Sequence, residues 1–149
     1  MEKKKDDKLN ILIVDDSKIN RVLLKNMLKD EFEILEASDG IEAINVLNTY
    51  QDKVSLILLD IVMPRMNGFD VLQVMNTRHW IEDIPVMIIS AEASSEYVKR
   101  TYDLGVMDYI NRDASPMIIR KRVSNTIRLF SKQKKMLHLM EMQNEQLME

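Results

Sequence analysis

Three carboxylates, Asp15, Asp16 and Asp60, lie at the ends of short apolar runs, and a hydroxyl residue, Ser90, closes another such run. Carboxylates gathered in one place repel and raise one another's pKa unless a cation joins them. An all-oxygen set suits a hard divalent ion, and Mg²⁺ fits a site that must keep room for water and phosphate. Beside such an ion one carboxylate can attack phosphorus and become an aspartyl phosphate, while the ion neutralises the charge that develops. Taken singly, the same acids have ordinary uses. Asp16 or Ser17 can cap a helix over 17–29, and Asp60 before Ile-Val-Met-Pro suits a turn. Their joint placement favours the chemistry.

The elements that must position them can be read from the apolar pattern. LNILIV (9–14), FEILEA (32–37), SLILLD (55–60), PVMIIS (85–90) and MDYIN (107–111) are short, rich in Ile, Leu and Val, and mostly unalternating. Strands covered on both faces of a parallel sheet look like this. Helical periodicity fills the gaps. Ile19, Val22, Leu23 and Met27 fall on one side of 17–29, and Ile41, Ile44 and Leu47 on one side of 41–50. Phe69, Leu72 and Met75 do the same in 67–77, and Tyr97, Thr101 and Leu104 in 94–104. Five strand–helix repeats predict an α/β fold, a doubly wound five-stranded parallel sheet flanked by helices, and one common order for such a sheet is 2-1-3-4-5. In that order strands one and three are neighbours at the topological switch point, where such folds bind ligands. The three glycines, 40, 68 and 105, all fall between elements.

From Pro116 onward the pattern is helical, and 116–148 as one helix would measure about 50 Å at 1.5 Å per residue. Its first half offers Ile119, Val123, Ile127 and Phe130 to a core. Its second half has Met136, Met140 and Leu147 near coiled-coil spacing, interrupted by Gln133 and Gln143, and should project as a linker or dimer helix. The expected organisation is a flexible N-terminus (1–8), a domain over 9–130 and a helical extension over 131–149.

Composition narrows the function classes. The 149 residues are 46% hydrophobic and 30% charged, enough for a packed core. The absence of Cys excludes disulfides, thiolate metal sites and Cys nucleophiles. Two histidines, His79 and His138, are too few for a His-based zinc site without carboxylates. No run approaches the roughly 18 apolar residues of a membrane span, and the start MEKKKDDK has no apolar signal core, so a soluble, cytoplasmic protein is expected. Residues 112–138 hold eight basic side chains against Asp113 alone, but without interleaved aromatics the stretch reads as a solvated helix face rather than a nucleic-acid site. The twelve methionines are read as mostly core packing. No phosphate-binding glycine motif is present, which leaves nucleotide hydrolysis and dinucleotide binding without support.

The segments ILIVDD (11–16), DIVMPRMNG (60–68), PVMIISA (85–91) and GVMDYI (105–110) resemble the receiver domain of two-component response regulators, with a CheY-like fold. The resemblance implies that Asp60 is the phosphoacceptor, Asp16 a direct Mg²⁺ ligand, Asp15 a ligand mainly through water, and Val62 a ligand through its backbone carbonyl. It further implies that Ser90 turns toward the phosphoryl oxygens, that Tyr109 is the aromatic switch residue, and that Met63-Pro64 and Gly68 shape the loop before helix three. Glu92 lies where it could tune the lifetime of the phosphate. One departure stands out. Where the family reads Lys-Pro-Phe, this chain has Arg112, Asp113 and Ala114. Arg keeps the charge as a larger planar fork, and without the proline a trans bond is expected, since cis would cost about 3 kcal/mol.

The resemblance implies a response regulator receiver domain that accepts a phosphoryl group from a histidine kinase or phosphotransfer protein on Asp60, with Mg²⁺ as cofactor. Such a domain is not an enzyme beyond slow self-dephosphorylation. It would switch an interaction surface, with a homodimer expected through the helix 4–strand 5–helix 5 face or the C-terminal helix, and with neither membrane nor direct nucleic-acid binding. VSNTIRLF (123–130) looks like stretches placed before effector domains such as cyclic-dinucleotide enzymes, so the chain could be a fragment. The alternative is a degenerate receiver, with Arg112 turned to solvent, that serves as a phosphorylation-independent interaction module. A flavodoxin-like flavin binder has only the fold in its favour.

Overall fold

The computed structural model describes residues 8–92 and 94–148. The expectation of a flexible N-terminus falls almost wholly outside the described residues, as does Glu149. Five parallel strands, β1 (Asn10–Val14), β2 (Glu33–Ala37), β3 (Val54–Leu59), β4 (Val86–Ser90) and β5 (Asp108–Asn111), form one sheet in the order β2-β1-β3-β4-β5. Between them run α1 (Lys18–Leu28), α2 (Gly40–Tyr50), α3 (Gly68–Thr77) and α4 (Ser95–Asp103), and α5 (Pro116–Met148) follows β5. Among the described residues the periodicity did not suggest a single 3₁₀ turn, Trp80–Glu82, ahead of β4.

The apolar runs are strands because both faces of the sheet are covered. Leu12, Val14, Ile57, Leu59 and Ile88 face a core completed by Leu47, Phe69, Leu72 and Met75 from α2 and α3. Ile11, Ile13, Leu56, Leu58 and Ile89 face a second core completed by Leu24 and Leu28 of α1 and by Ile119 and Val123 of α5. A fully buried side chain of this size contributes roughly 1.5–3 kcal/mol. Local signals start the helices. Ser17, Asp39, Asn67 and Ser94 each accept a backbone N–H from the first turn that follows, and Asn67 and Asp70 complete a reciprocal capping box. Ser115 does the same for α5, with Pro116 at its first position.

Three expectations are corrected by the packing. On α1 the buried residues are Leu24 and Leu28, whereas Ile19, Val22 and Leu23 are exposed, because the helix is apolar on more than one side. On α2 the core is formed by Ala43 and Leu47, and Ile41 is exposed. The methionines are not mostly core. Met63, Met75 and Met87 are buried, but Met117, Met136, Met140, Met142 and Met148 are exposed along α5, which outruns the sheet that could cover it. Lys134 still reaches Asp83 at 2.9 Å, and beyond it the described residues of α5 are exposed. Among the described residues no helix is long and apolar enough to cross a membrane.

Candidate functional site

Strand register assembles the site. Val14 pairs with Leu59 at the carboxyl ends of β1 and β3, so the next residues, Asp15 and Asp60, emerge side by side. The backbone continues the ladder for one more step: the Asp60 N–H donates to the Val14 carbonyl at 2.9 Å, and the Asp15 N–H to the Ala37 carbonyl at 3.1 Å. On the other flank Ser90 pairs with Asn111, and the Arg112 N–H donates to the Ser90 carbonyl at 3.1 Å. This aims Arg112 back across the strand ends.

Carboxylate oxygens of Asp15, Asp16 and Asp60 lie within 4.8 Å of one another. Of the two capping candidates Ser17, and not Asp16, caps α1, and Asp15 Oδ1 accepts the Ser17 N–H at 2.9 Å. Asp16 is exposed at the mouth of the cluster, and Asp15 and Asp60 are buried. Asp60 Oδ1 accepts the Ile61 N–H at 2.8 Å, which orients the side chain. Gly68 is required here, because a Cβ would stand 2.5 Å from the Asp60 carbonyl oxygen. The donor set is all oxygen, anionic and open on one side, as a hard divalent cation needs.

Arg112 turns inward, which removes the premise of a solvent-facing side chain. Its Nη1 donates to Asp15 Oδ2 at 2.7 Å, and its Nη2 lies 3.3 Å from Asp60 Oδ2 and donates to the Ile89 carbonyl at 3.4 Å. No cis peptide bond occurs among the described residues, and the Ala114 N–H closes a turn onto the Asn111 carbonyl at 3.0 Å. Burial first, and then the Asp15 charge, push the Asp60 carboxyl up to about 6 against the opposing pull of Arg112.

Val62, Ser90 and Glu92 line one open cleft with Asp60 and Arg112. Ser90 Oγ accepts the Glu92 N–H at 3.1 Å, and the Tyr109 hydroxyl donates to the Glu92 carbonyl. Burial raises the Tyr109 pKa, which keeps the phenol protonated and able to donate. The Glu92 carboxylate is turned to α4, accepting the Ser94 N–H at 3.1 Å. Sequence reasoning missed Asn20, which lines the same cleft from the first turn of α1. Its spacing of one helical turn after Asp16 is a signal that could have found it. It also missed Arg21, whose Nη1 donates to the Asp15 carbonyl at 2.7 Å, and the ion pair between Arg65 and Asp39.

A doubly wound 2-1-3-4-5 sheet with an acidic cluster at its switch point defines a CheY-like signalling domain. The chain belongs to the response regulator receiver domain family, whose sequence profile matches residues 11–124. It is 34% identical over 124 residues to response regulator RR06 of Streptococcus pneumoniae, covering 82% of this chain and 54% of that one. It is 28% identical over 121 residues to the chemotaxis protein CheY homolog of Campylobacter jejuni, covering 80% and 92%. Among solved structures, the CheX-CheY-BeF3-Mg²⁺ complex from Borrelia burgdorferi matches with a TM-score of 0.72 and 28% identity, covering 78% of this chain and 87% of that one. The chain thus spans about half the length of the pneumococcal relative, and 25% and 15% of two others, both phosphodiesterases.

Proposed function

We propose that this domain accepts a phosphoryl group on Asp60 from a phosphohistidine of a kinase or phosphotransfer protein. An Asp60 carboxylate oxygen attacks phosphorus, the P–N bond breaks, and the imidazole nitrogen leaves with its electron pair. Asp15, Asp16, Asp60 and the Val62 carbonyl would hold Mg²⁺, which supplies charge neutralisation at the transferring group when bound. Arg112, already beside Asp60 at 3.3 Å, offers its fork to the phosphoryl oxygens. The phosphoryl group, which itself carries about −2, draws the Ser90 hydroxyl out of its bond to the Glu92 N–H, and Tyr109 follows because its hydroxyl holds the same residue's carbonyl. The face of α4, β5 and α5 repacks in response. Later, water attacks phosphorus and releases phosphate, so the domain is a timed switch and not a turnover enzyme.

The observation that supports this best is the convergence of Asp15, Asp60 and Arg112 from three strand ends onto one open cleft. The exposed Ile19, Val22 and Leu23 of α1 give a phosphodonor protein an apolar footing near that cleft, which Asn20 helps to line. On this reading residues 9–130 are the receiver, 131–149 are a helical extension that pairs with a second copy, and the protein works in the cytoplasm beside its kinase. The test is intact-mass analysis after acetyl phosphate and Mg²⁺. A phosphoryl mass gain that is lost in Asp60→Asn supports the proposal; no gain with any donor refutes it.

One observation favours the phosphorylation-independent module. Arg112 already offsets part of the charge of the buried pair, so the acidic cluster has an internal counter-ion where a metal would otherwise stand. Calorimetry separates the two readings: a working site binds Mg²⁺, and Asp16→Ala abolishes the binding.

A further inference from the structure

Arg65 lies between β3 and α3 with φ at 63°, a left-handed conformation that is strained for a residue with a Cβ. The turn around it is tight. The Met66 N–H donates to the Pro64 carbonyl at 2.8 Å, closing a three-residue γ-turn of the strained, positive-φ kind. Such backbone is ordinarily left to Gly or Asn, and it persists at other residues only where the surroundings over-determine it. Burial of the side chain does not explain it here, since that side chain is 66% exposed.

What the conformation achieves is delivery of the guanidinium to Asp39. Nη2 of Arg65 donates to Oδ2 of Asp39, whose side chain is only 4% exposed, while Oδ1 caps α2 by accepting the Glu42 N–H at 2.8 Å. The next residue along the loop is tied to the same helix end. The Gly40 N–H donates to the Met66 carbonyl at 3.0 Å, and a Cβ on Gly40 would stand 2.5 Å from that oxygen. The β3–α3 loop is therefore held to the start of α2 at two successive residues, by a half-buried ion pair and a backbone hydrogen bond. The other end of the same short loop carries Asp60 and Val62.

We propose that Arg65 and Asp39 are positioning residues for the cation site. Their ion pair fixes the β3–α3 loop against α2, so that the Val62 carbonyl and the Asp60 carboxylate are presented together, and it thereby sets the affinity for a divalent cation. Neither side chain touches the ion or the reacting atoms; both act through the loop. The inference rests on the assignment of Asp60 and Val62 made above.

Arg65→Gly separates positioning from plain stability, because it removes the guanidinium while relieving the strained φ. In the metal-free full chain the relieved backbone and the lost partner of Asp39 act in opposite directions, so its thermal midpoint should change little. Its dissociation constant for Mg²⁺, measured by calorimetry, should rise roughly tenfold, as when partners that orient a ligand are lost. Asp39→Asn keeps a competent helix cap and should weaken Mg²⁺ to a similar degree, with little further loss in the double variant. Arg65→Lys should recover part of the affinity. Unchanged Mg²⁺ affinity in both single variants overturns the clamp and leaves the proposed function standing. Failure of the unaltered protein to bind Mg²⁺ overturns the assignment of the site, and the clamp with it.

Discussion

Arg112 and Asp15 are 97 positions apart in the chain and are joined by a 2.7 Å hydrogen bond from Nη1 to Oδ2, with the second guanidinium nitrogen beside Asp60. The fork spans two carboxylates that a divalent ion would also have to share. The internal cation and the external one are therefore opposed. Arg112→Gln should destabilise the metal-free protein by about 2–3 kcal/mol, since a buried carboxylate loses its partner. It should also tighten Mg²⁺ binding, and saturating Mg²⁺ should restore most of the lost stability. Denaturant titrations with and without Mg²⁺ read both effects, and equal losses in the two conditions would contradict the opposition.

The raised Asp60 pKa gives stability a pH dependence of definite sign. The native carboxyl, at about 6, holds its proton more tightly than the unfolded one near 4, so between these values the native state binds more protons. Metal-free stability should fall as pH rises from about 4 through 6, by up to about 3 kcal/mol from this group, and then level off. Comparison with Asp60→Asn isolates its contribution from those of other carboxylates. Mg²⁺ needs the deprotonated acid, so its affinity should weaken as pH drops below about 6.

Asp60→Asn keeps an acceptor for the Ile61 N–H and removes a buried charge from beside Asp15. At pH 8 without metal it should be more stable than the unaltered protein by about 1–2 kcal/mol, even as it loses phosphoryl uptake. A less stable variant would mean that Arg112 overcompensates the repulsion.

Tyr109→Phe deletes the hydroxyl that holds the Glu92 carbonyl and keeps the ring in its place. A loss of about 1 kcal/mol in stability is expected. Labelling of Asp60 by acetyl phosphate should proceed at an unchanged rate, whereas any phosphorylation-driven change in assembly should shrink. A large drop in labelling would place Tyr109 in the chemistry rather than in the response.

The exposed Met136, Met140 and Leu147 lie on the part of α5 that the sheet cannot cover. Replacing all three by Glu should leave the stability of the domain within about 1 kcal/mol of the original in denaturant titrations. It should also shift the chain from dimer to monomer in light scattering with beryllofluoride and Mg²⁺. An unaltered protein that stays monomeric at high concentration under these conditions rules out the helix pairing.

The five strands and the acids that close them were legible because a sheet buried on both faces leaves continuous apolar runs, whereas the strand order follows from the pairing in the folded sheet. Caps were legible in part. Asp16 and Ser17 both announce the start of α1, but only the tertiary structure shows that Ser17 does the capping and leaves Asp16 for other work. The buried face of α1 was not legible, because Ile19, Val22 and Leu23 are as apolar as Leu24 and Leu28, and periodicity does not say which stripe meets the sheet. The methionines of α5 are exposed for a different reason, since the helix outruns the sheet.

Local chemistry along the chain thus specified which residues could form an acidic site and which elements would carry them. Contacts between distant residues decided how that site is held. Arg112 reaches Asp15 and Asp60 because β5 pairs with β4 in one register and not another, and Arg65 reaches Asp39 because α2 begins beside the β3–α3 loop. Neither pairing leaves a mark at either residue alone. Each exists only once the two segments are packed against a common sheet, where charge and distance are set by the fold as a whole.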